Sequence, residues 1–428
     1  MKILVLGSGG REHAICSALQ RTSSRRPQLF CAPGNAGIAQ TAECVPIEVN
    51  QPDALISFVE MQQIDLTIVG PEAPLADGLV DIFANRKLRI VGPRSDAARL
   101  ESSKAFAKAF MDRHSIPTAR YRVATSFDEA AGMLKSGEFG DEKTSVVIKA
   151  DGLAAGKGVF VAADHAEARN GLNELRSGAA GVEAARKIVI EEKLTGPEVS
   201  VLLFSDGKDY RLMPAARDHK RIGEGDTGPN TGGMGTITDG SLIDPMTIDR
   251  VIHQIVEPTL QGCSDEGFPF RGILFIGLML TPDGPRVLEY NVRFGDPETQ
   301  SILVRLKTDL TQVCEAIVDS RLGEFQLDWS ARSSACVVLA SRGYPAKAET
   351  GVLIHGLERA TQHEDVSIFH SATSRSNGNW LTAGGRVLGV TATGENLELA
   401  LERCYGAIHE IDWEGKQYRR DIGRTPSR

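Results

Sequence analysis

In the stretch RVLEYNVRFGDPETQ, chemistry-bearing side chains recur at every second position: Glu289, Asn291 and Arg293. On a strand this spacing puts them on one face, with Leu288, Tyr290 and Val292 on the other. A carboxylate and an amide oxygen are hard donors, suited to a Mg²⁺ carried by nucleotide phosphates. An arginine beside them can grip a phosphate or carboxylate through two parallel hydrogen bonds. A solvent-facing strand also carries charges, but an asparagine at a strand centre has poor β propensity and asks for a reason.

Lys149 ends the apolar run SVVIKA. Burying an ammonium there is costly unless an anion accompanies it, although a strand-end lysine can also snorkel to water. The following 151–158 turn contains Gly152, Gly156, Lys157 and Gly158. Its successive backbone amides could close over phosphates. It is not a P-loop: three residues separate the glycines where four are needed, and Gly158 follows Lys157 in place of Ser or Thr. Further on, KIVIEEKLTGPE reads as a strand entering a linker, whose backbone could meet an adenine edge while Glu198 accepts from ribose hydroxyls. A second concentration is RDHKR at 217–221, followed by GEGDTGPNTGGMG, with six glycines between 223 and 235. Basic residues and glycines together suit close backbone approach to an anion; a flexible surface loop is the alternative.

At the N-terminus, Gly7-Ser8-Gly9 follows a strand and opens a helix. The third glycine of a dinucleotide fingerprint would fall at position 12, which is Glu, and no acid ends the next strand, so NAD binding is disfavoured. The turn either offers free N–H groups to a phosphate, helped by Arg11 and His13, or serves only as a tight connection.

Several elements must position these groups. The first hundred residues alternate short strands (KILVLG, QLFCAPG, DLTIVG, LRIVGP) with helical patterns, including 53–62 and 75–85. This rhythm implies a parallel sheet covered on both faces. Residues 102–114 read as a helix capped by Ser102 or Ser103. A compact α+β lobe spans about 118–194. Then come EVSVLLFSDG, DYRLMPAA, a glycine-rich loop at 217–236, a helix near 247–262, the antiparallel pair GILFIGLMLT and PRVLEYNVRF, and a helix near 299–319. Residues 324–333 read as a linker to a small mixed β domain. We therefore expect three domains, at 1–101, 102–323 and 324–428.

The chain has 428 residues, 24% charged and 41% hydrophobic, with a formal net charge of -8. This is globular composition, and its sign argues against general nucleic-acid binding. Seven cysteines, at 16, 31, 44, 263, 314, 336 and 404, form no CxxC pair. Their spacing favours reduced thiols over a disulfide or zinc framework. No run reaches the roughly 18 apolar residues of a membrane span, and no cleavable leader precedes the first strand. A cytoplasmic protein without membrane or nucleic-acid partners is expected.

GSGGREHA, APGNAG, VGPEAPL, SKAFAK, IKADGLAAGKGV, DHKR, DTGPNTGGMG, NVRFGDPETQ, GGRVLGV and YRRDIG occur in this order. Together they resemble the glycinamide ribonucleotide synthetase (phosphoribosylamine–glycine ligase) family of the ATP-grasp superfamily, over nearly the whole chain. The resemblance implies a Rossmann-like N-terminal domain, a two-lobed ATP-grasp and a small C-terminal domain. It implies ATP-dependent ligation of glycine to phosphoribosylamine through glycyl phosphate, with Mg²⁺ or Mn²⁺, by a monomer or alternatively a dimer. On matching positions, Lys104 and Lys149 would touch ATP phosphates under the 151–158 loop. Glu191, Glu192 and Leu194 would hold adenine, Glu198 the ribose, and Glu289 and Asn291 the metal. Arg293, with Gly295, Asp296, Pro297 and Glu298, would lie near glycine and the reacting phosphate. Gly9, Gly10, Arg11 and Asn230 would bind phosphoribosylamine, with Asp218 and Lys220 at the reacting end.

Lys193 and Pro197 depart from the family pattern in the adenine linker, Arg424 departs after YRRDIG, and GILFIGLML lacks the metal-binding acid of many wider relatives. Two rivals remain at this point: another ATP-grasp ligase with different acceptor loops, such as a carboxylase, and a catalytically silent nucleotide-binding protein.

Overall fold

A computed structural model describes residues 1–154, 158–178, 180–181 and 184–424. Gly156 and Lys157 lie outside the described residues.

The opening strand-turn-helix repeats build a five-stranded parallel sheet. Its order is Glu43–Cys44, Gln28–Pro33, Lys2–Gly7, Leu66–Val69, Ile90–Val91. The first strand lies at the centre, so connections leave it in opposite directions and open a crevice at the carboxyl ends of Lys2–Gly7 and Leu66–Val69. The Gly7 and Gly70 turns lie there. Glu12 explains why the dinucleotide fingerprint fails. Its side chain is buried and folds back to accept from Gly9 N at 2.7 Å, capping its own helix Gly10–Thr22. A Cβ on Gly70 would come within 2.0 Å of its Oε1, so the glycines here make room for a carboxylate.

The lid lobe is an antiparallel sheet ordered Tyr121–Ala124, Ile188–Glu192, Val146–Ala150, Val159–Ala162. Helices Phe127–Lys135 and His165–Arg176 cover one face, burying Leu134, Ile148, Leu172 and Ile190 in a core of their own. The larger lobe carries the antiparallel order Tyr210–Leu212, Glu198–Asp206, Arg271–Thr281, Gly284–Asn291.

Four expectations change. The 75–85 helix is two helices, Ala73–Ala76 and Leu79–Asn85, parted at Gly78 with φ 81°. The helix near 299–319 is also two, Glu298–Leu303 and Leu310–Val318, because Asp309 caps the second through Thr311 N. The helix near 247–262 extends over 245–265 with a wider-wound stretch Ile252–Val256. Pro258 lacks the N–H that an unbroken α-helix needs there, and its ring crowds the preceding turn. Finally, 217–236 is not a plain loop. Arg217–Asp218 and Gly235–Thr238 are strands, and Arg221–Gly223 with Thr227–Asn230 forms a two-stranded ribbon.

Those two outer strands join the C-terminal sheet, ordered Arg217–Asp218, Gly235–Thr238, Ser333–Ala340, Arg386–Gly394, Val366–His370. Helix Leu397–Glu410 packs against it through Ala400, Cys404, Ala407 and Ile408. One sheet therefore mixes strands from the middle and the end of the chain.

Candidate active site

The edge strand Gly284–Asn291 carries the first group. Tyr290 and Val292 turn into the core, while Glu289 and Asn291 stay partly exposed on the cleft side. Leu288 departs from the expected alternation. Gly277 pairs with Glu289 but Leu278 pairs with Val287, so Leu288 is the extra residue of a β-bulge. It lines the cleft with Glu198, Asp218, Lys220, Phe275 and Leu278, instead of packing on the core face.

Lys149 meets this strand from the lid: its Nζ donates to Leu288 O at 3.0 Å. This contact puts Lys149 one residue from Glu289, whose carboxylate feels its charge. Lys149 also lies 2.9 Å from Glu191 Oε1, so the Glu191 side chain serves this ion pair. The backbone of Glu191 sits in the lid ladder between Tyr121 and Val147, and Glu192 accepts from Arg120 N. Leu194 is partly buried just beyond them. Lys104 reaches Gly152 O at 3.1 Å. Asp151 Oδ1 accepts from Ser103 Oγ and Ala105 N, tying the start of the lid turn to the N-terminus of helix Lys104–Arg113. Gly158 closes the turn, its carbonyl accepting from Ala150 N. Burial pushes the Lys104 ammonium pKa down, against the pull of Glu289.

Lys220 bridges two candidate ligands, 3.2 Å from Glu198 and 3.8 Å from Glu289. These carboxylates, Glu198 foremost, hold its pKa well above the usual lysine range. Burial pushes the Glu289 carboxyl up, but Lys220, Lys149, Lys104 and Arg293 outweigh it and leave it below the usual value. Glu289 stays ionised, as a cation ligand must. Among the described residues no cluster of three His, Cys, Asp or Glu could hold a metal ion. One carboxylate and one amide oxygen fit a divalent cation bound chiefly by nucleotide oxygens.

Arg293 is fully engaged. It pairs with Glu101 at 2.8 Å and Glu72 at 3.2 Å, and donates to Asn291 Oδ1 at 3.1 Å. Glu101 also accepts from Val292 N at 2.7 Å. Glu72 comes from the N-terminal crevice, so this arginine links two domains. Arg11 extends the link, with Nη1 donating to Phe294 O at 3.1 Å.

At the other end of the site, Asp296 pairs with Arg386 at 2.9 Å and accepts from Gln300 at 2.8 Å. Burial raises its pKa, and Arg386 and Arg11 more than reverse that. Arg386 also donates to Gly232 O, while Thr236 Oγ1 donates to Pro297 O. A Cβ on Gly233 would meet Pro297 and Asp218, so that loop passes tightly over the segment 295–298. Asp218 and Glu298 face one another across this end. Burial raises both pKa values, and each is raised further by a neighbouring carboxylate: Asp218 by Glu298, Glu298 by Asp296. Gly10 lies against Ser371 and Gln300, where a Cβ would come within 2.6 Å, so the N-terminal helix abuts the C-terminal region. Asn230 pairs with Arg221 on the ribbon beside Lys220.

Glu72, Glu101, Lys108 and Arg386 were not assigned as site residues from sequence. Three of them stood inside quoted motifs (VGPEAPL, SKAFAK and GGRVLGV), and only their long-range partners reveal what they hold.

Comparisons with known proteins agree along the whole chain. Models of the phosphoribosylglycinamide synthetase N domain, ATP-grasp (A) domain and C domain match residues 1–101, 102–299 and 334–425. A phosphoribosylamine–glycine ligase of Rhodopirellula baltica is 45% identical, over 98% of this chain and 96% of that protein. One from Caldanaerobacter subterraneus is 43% identical, over 99% of each. The crystal structure of the Thermotoga maritima phosphoribosylamine–glycine ligase superposes with a TM-score of 0.84 at 34% identity, covering 99% of this chain and 100% of that one. A biotin carboxylase domain from Hydrogenobacter thermophilus, solved with MgADP, shares the fold at TM-score 0.71 and 13% identity, over 97% and 91% of the two chains. With a Rossmann-like crevice, a two-lobed ATP-grasp and a C-terminal domain meeting at one cleft, the chain belongs to the phosphoribosylglycinamide synthetase family.

Proposed function

We propose that the protein joins glycine to phosphoribosylamine at the expense of ATP, as the names of its relatives state, and so serves purine synthesis. The observation that carries this reading is the approach of Lys149 to the bulged strand, 3.0 Å from Leu288 O, which puts a lid lysine beside Glu289 and Asn291.

In this reading the triphosphate lies between the lobes. Lys104 and Lys149 face its phosphates, the 151–158 turn covers them, the 191–194 segment with Leu288 meets the base, and Glu198 meets the ribose. Glu289 and Asn291 would hold Mg²⁺ or Mn²⁺, which neutralises phosphate charge when bound. The carboxylate of glycine, held near Arg293 and the segment 295–298, attacks the γ-phosphorus, and ADP leaves. The amine of phosphoribosylamine, held near Gly9, Gly10, Arg11 and Asn230, then attacks the acyl carbon. Phosphate departs as the C–N bond forms. Asp218, its basicity raised by burial and Glu298, takes the amine proton, and Lys220 faces the leaving phosphate. Such transfer rests on positioning and charge neutralisation and needs no nucleophilic triad. The wider expectations also stand as proposals. Seven free cysteines support a reducing, cytoplasmic setting; a monomer or alternatively a dimer without nucleic-acid or membrane partners is proposed with it.

The test is ADP release that requires both glycine and phosphoribosylamine. Turnover with bicarbonate instead would sink the proposal in favour of a carboxylase. Glu289→Ala should keep its circular dichroism spectrum and lose activity by at least about a thousandfold, the equivalent of ~4 kcal/mol of transition-state stabilisation. Near-normal turnover would refute the metal assignment.

A further inference from the structure

Lys149 raises a problem of charge. A lysine locked in a buried one-to-one ion pair has its charge cancelled, and is then a poor ligand for a polyphosphate. Its partner Glu191 is only 2% exposed. A second lysine, however, takes the other oxygen. Lys108 Nζ lies 3.0 Å from Glu191 Oε2 and is itself 2% exposed.

The contacts continue. Lys108 donates to Thr118 Oγ1 at 2.8 Å, and Thr118 donates to Val287 O at 2.6 Å. Lys149 returns to the next carbonyl, Leu288 O. The side chains thus form a closed ring that starts and ends on two consecutive carbonyls of the bulge. It draws on helix Lys104–Arg113, two lid strands and the edge strand of the larger lobe. Two ammonium groups against one carboxylate leave one positive charge in a buried cluster, and only Lys149 has Glu289 and Lys104 as neighbours at the cleft.

We propose that Lys108 is a positioning residue for the nucleotide: by occupying one oxygen of Glu191, it keeps that carboxylate from cancelling the charge that Lys149 presents to the triphosphate. This rests on Lys149 being a phosphate ligand, as proposed above. Other groups facing Lys108 are Asp112 on its own helix and Tyr121 on the neighbouring strand, whose ring lies 5.7 Å away and whose hydroxyl donates to Asp112. Burial brings the Lys108 ammonium down to about 8, against the pull of Glu191. Alkaline solution should therefore discharge Lys108, which then no longer offsets the Glu191 carboxylate beside Lys149.

The experiment compares Lys108→Met, Lys149→Met and the double variant Lys108→Met/Glu191→Gln, with ATP as the probe. Lys108→Met should raise KM for ATP about tenfold or more, a shift of ~1.4 kcal/mol, while KM for glycine stays within about twofold. The double variant restores one net positive charge, and its KM for ATP should return to within about threefold of the parent. A purely structural lysine predicts the reverse, with the double variant worse than the single. In the parent enzyme kcat/KM for ATP should fall as pH rises through about 8, and that limb should be missing from the double variant.

An unchanged KM in Lys108→Met, a double variant no better than the single, or a flat parent profile to pH 10 would each overturn the proposal. An unchanged KM for ATP in Lys149→Met would instead overturn the phosphate reading on which it rests. If Lys108→Met does not fold, the parent profile and the double variant still decide.

Discussion

Asp218 and Glu298 stand together at one end of the cleft, and burial weakens the acidity of both. A carboxyl whose pKa is raised by folding binds a proton that the unfolded chain releases. Stability is therefore lost as pH climbs from the usual carboxyl range through the raised value. Asp218→Asn should raise the melting temperature by about 1–3 °C at pH 8, with a smaller gain near pH 4, because the parent is already protonated there. The same change should cut turnover by about a hundredfold or more if Asp218 takes a proton from the amine. A variant that is active and no more stable would remove Asp218 from that role. At this scale the sequence marks candidate groups whose type and spacing stand out, Lys149 and the alternating Glu289 and Asn291, and the fold brings them near one another. The sequence could not reveal Glu101, because nothing local marks a glutamate that meets Arg293 across 192 positions. It also hid the commitment of Arg293 to two carboxylates, since a lone arginine in a motif reads as free to grip a ligand.

Among the elements, the bulge opposite Gly277 and Leu278 does most to shape the cleft. It brings a leucine round to the cleft and leaves two carbonyls for Lys149 and Thr118. Strict alternation in the sequence predicted Leu288 in the core, where truncation to alanine would cost about 2–5 kcal/mol. Facing the cleft, Leu288→Ala should instead leave the melting temperature within about 2 °C and raise KM for ATP several-fold. A large drop in stability with unchanged KM would return Leu288 to the core. Bulges escape a single-sequence reading because an extra residue changes the partner strand and not the local pattern. Helix breaks at Gly78 and Asp309 were written locally but lay inside continuous apolar periodicity. The strands within 217–236 were hidden because each is only two to four residues long, and Gly235–Thr238 completes its pairing with residues near 336.

Across the whole molecule, His13 of the first helix and His370 of the C-terminal sheet join two distant regions. His370 N donates to His13 Nδ1 at 2.9 Å, and the rings are 5.5 Å apart. Burial holds their pKa values at about 4 and about 3. Both are therefore neutral when folded. The stability this gives is complete above the usual histidine range and is lost as pH falls below about 6.5. Each histidine should cost up to about 1.4 kcal/mol per pH unit between pH 6.5 and its lowered value. His370→Asn should flatten the fall of melting temperature between pH 6.5 and 4.5; an unchanged slope would place the acid sensitivity elsewhere. The three-part organisation was readable from the alternation of strands and helices, but the docking of these parts was not. The mixed C-terminal sheet has a last consequence, for biosynthesis. Gly235–Thr238 pairs with Arg217–Asp218 on one side and gains its second neighbour only with Ser333–Ala340, which in turn gains its second only with Arg386–Gly394. During translation the far edge of Gly235–Thr238 must wait unpaired until the final quarter of the polypeptide emerges from the ribosome. Amino-terminal fragments released early would carry a naked strand edge, prone to sticking to other nascent chains.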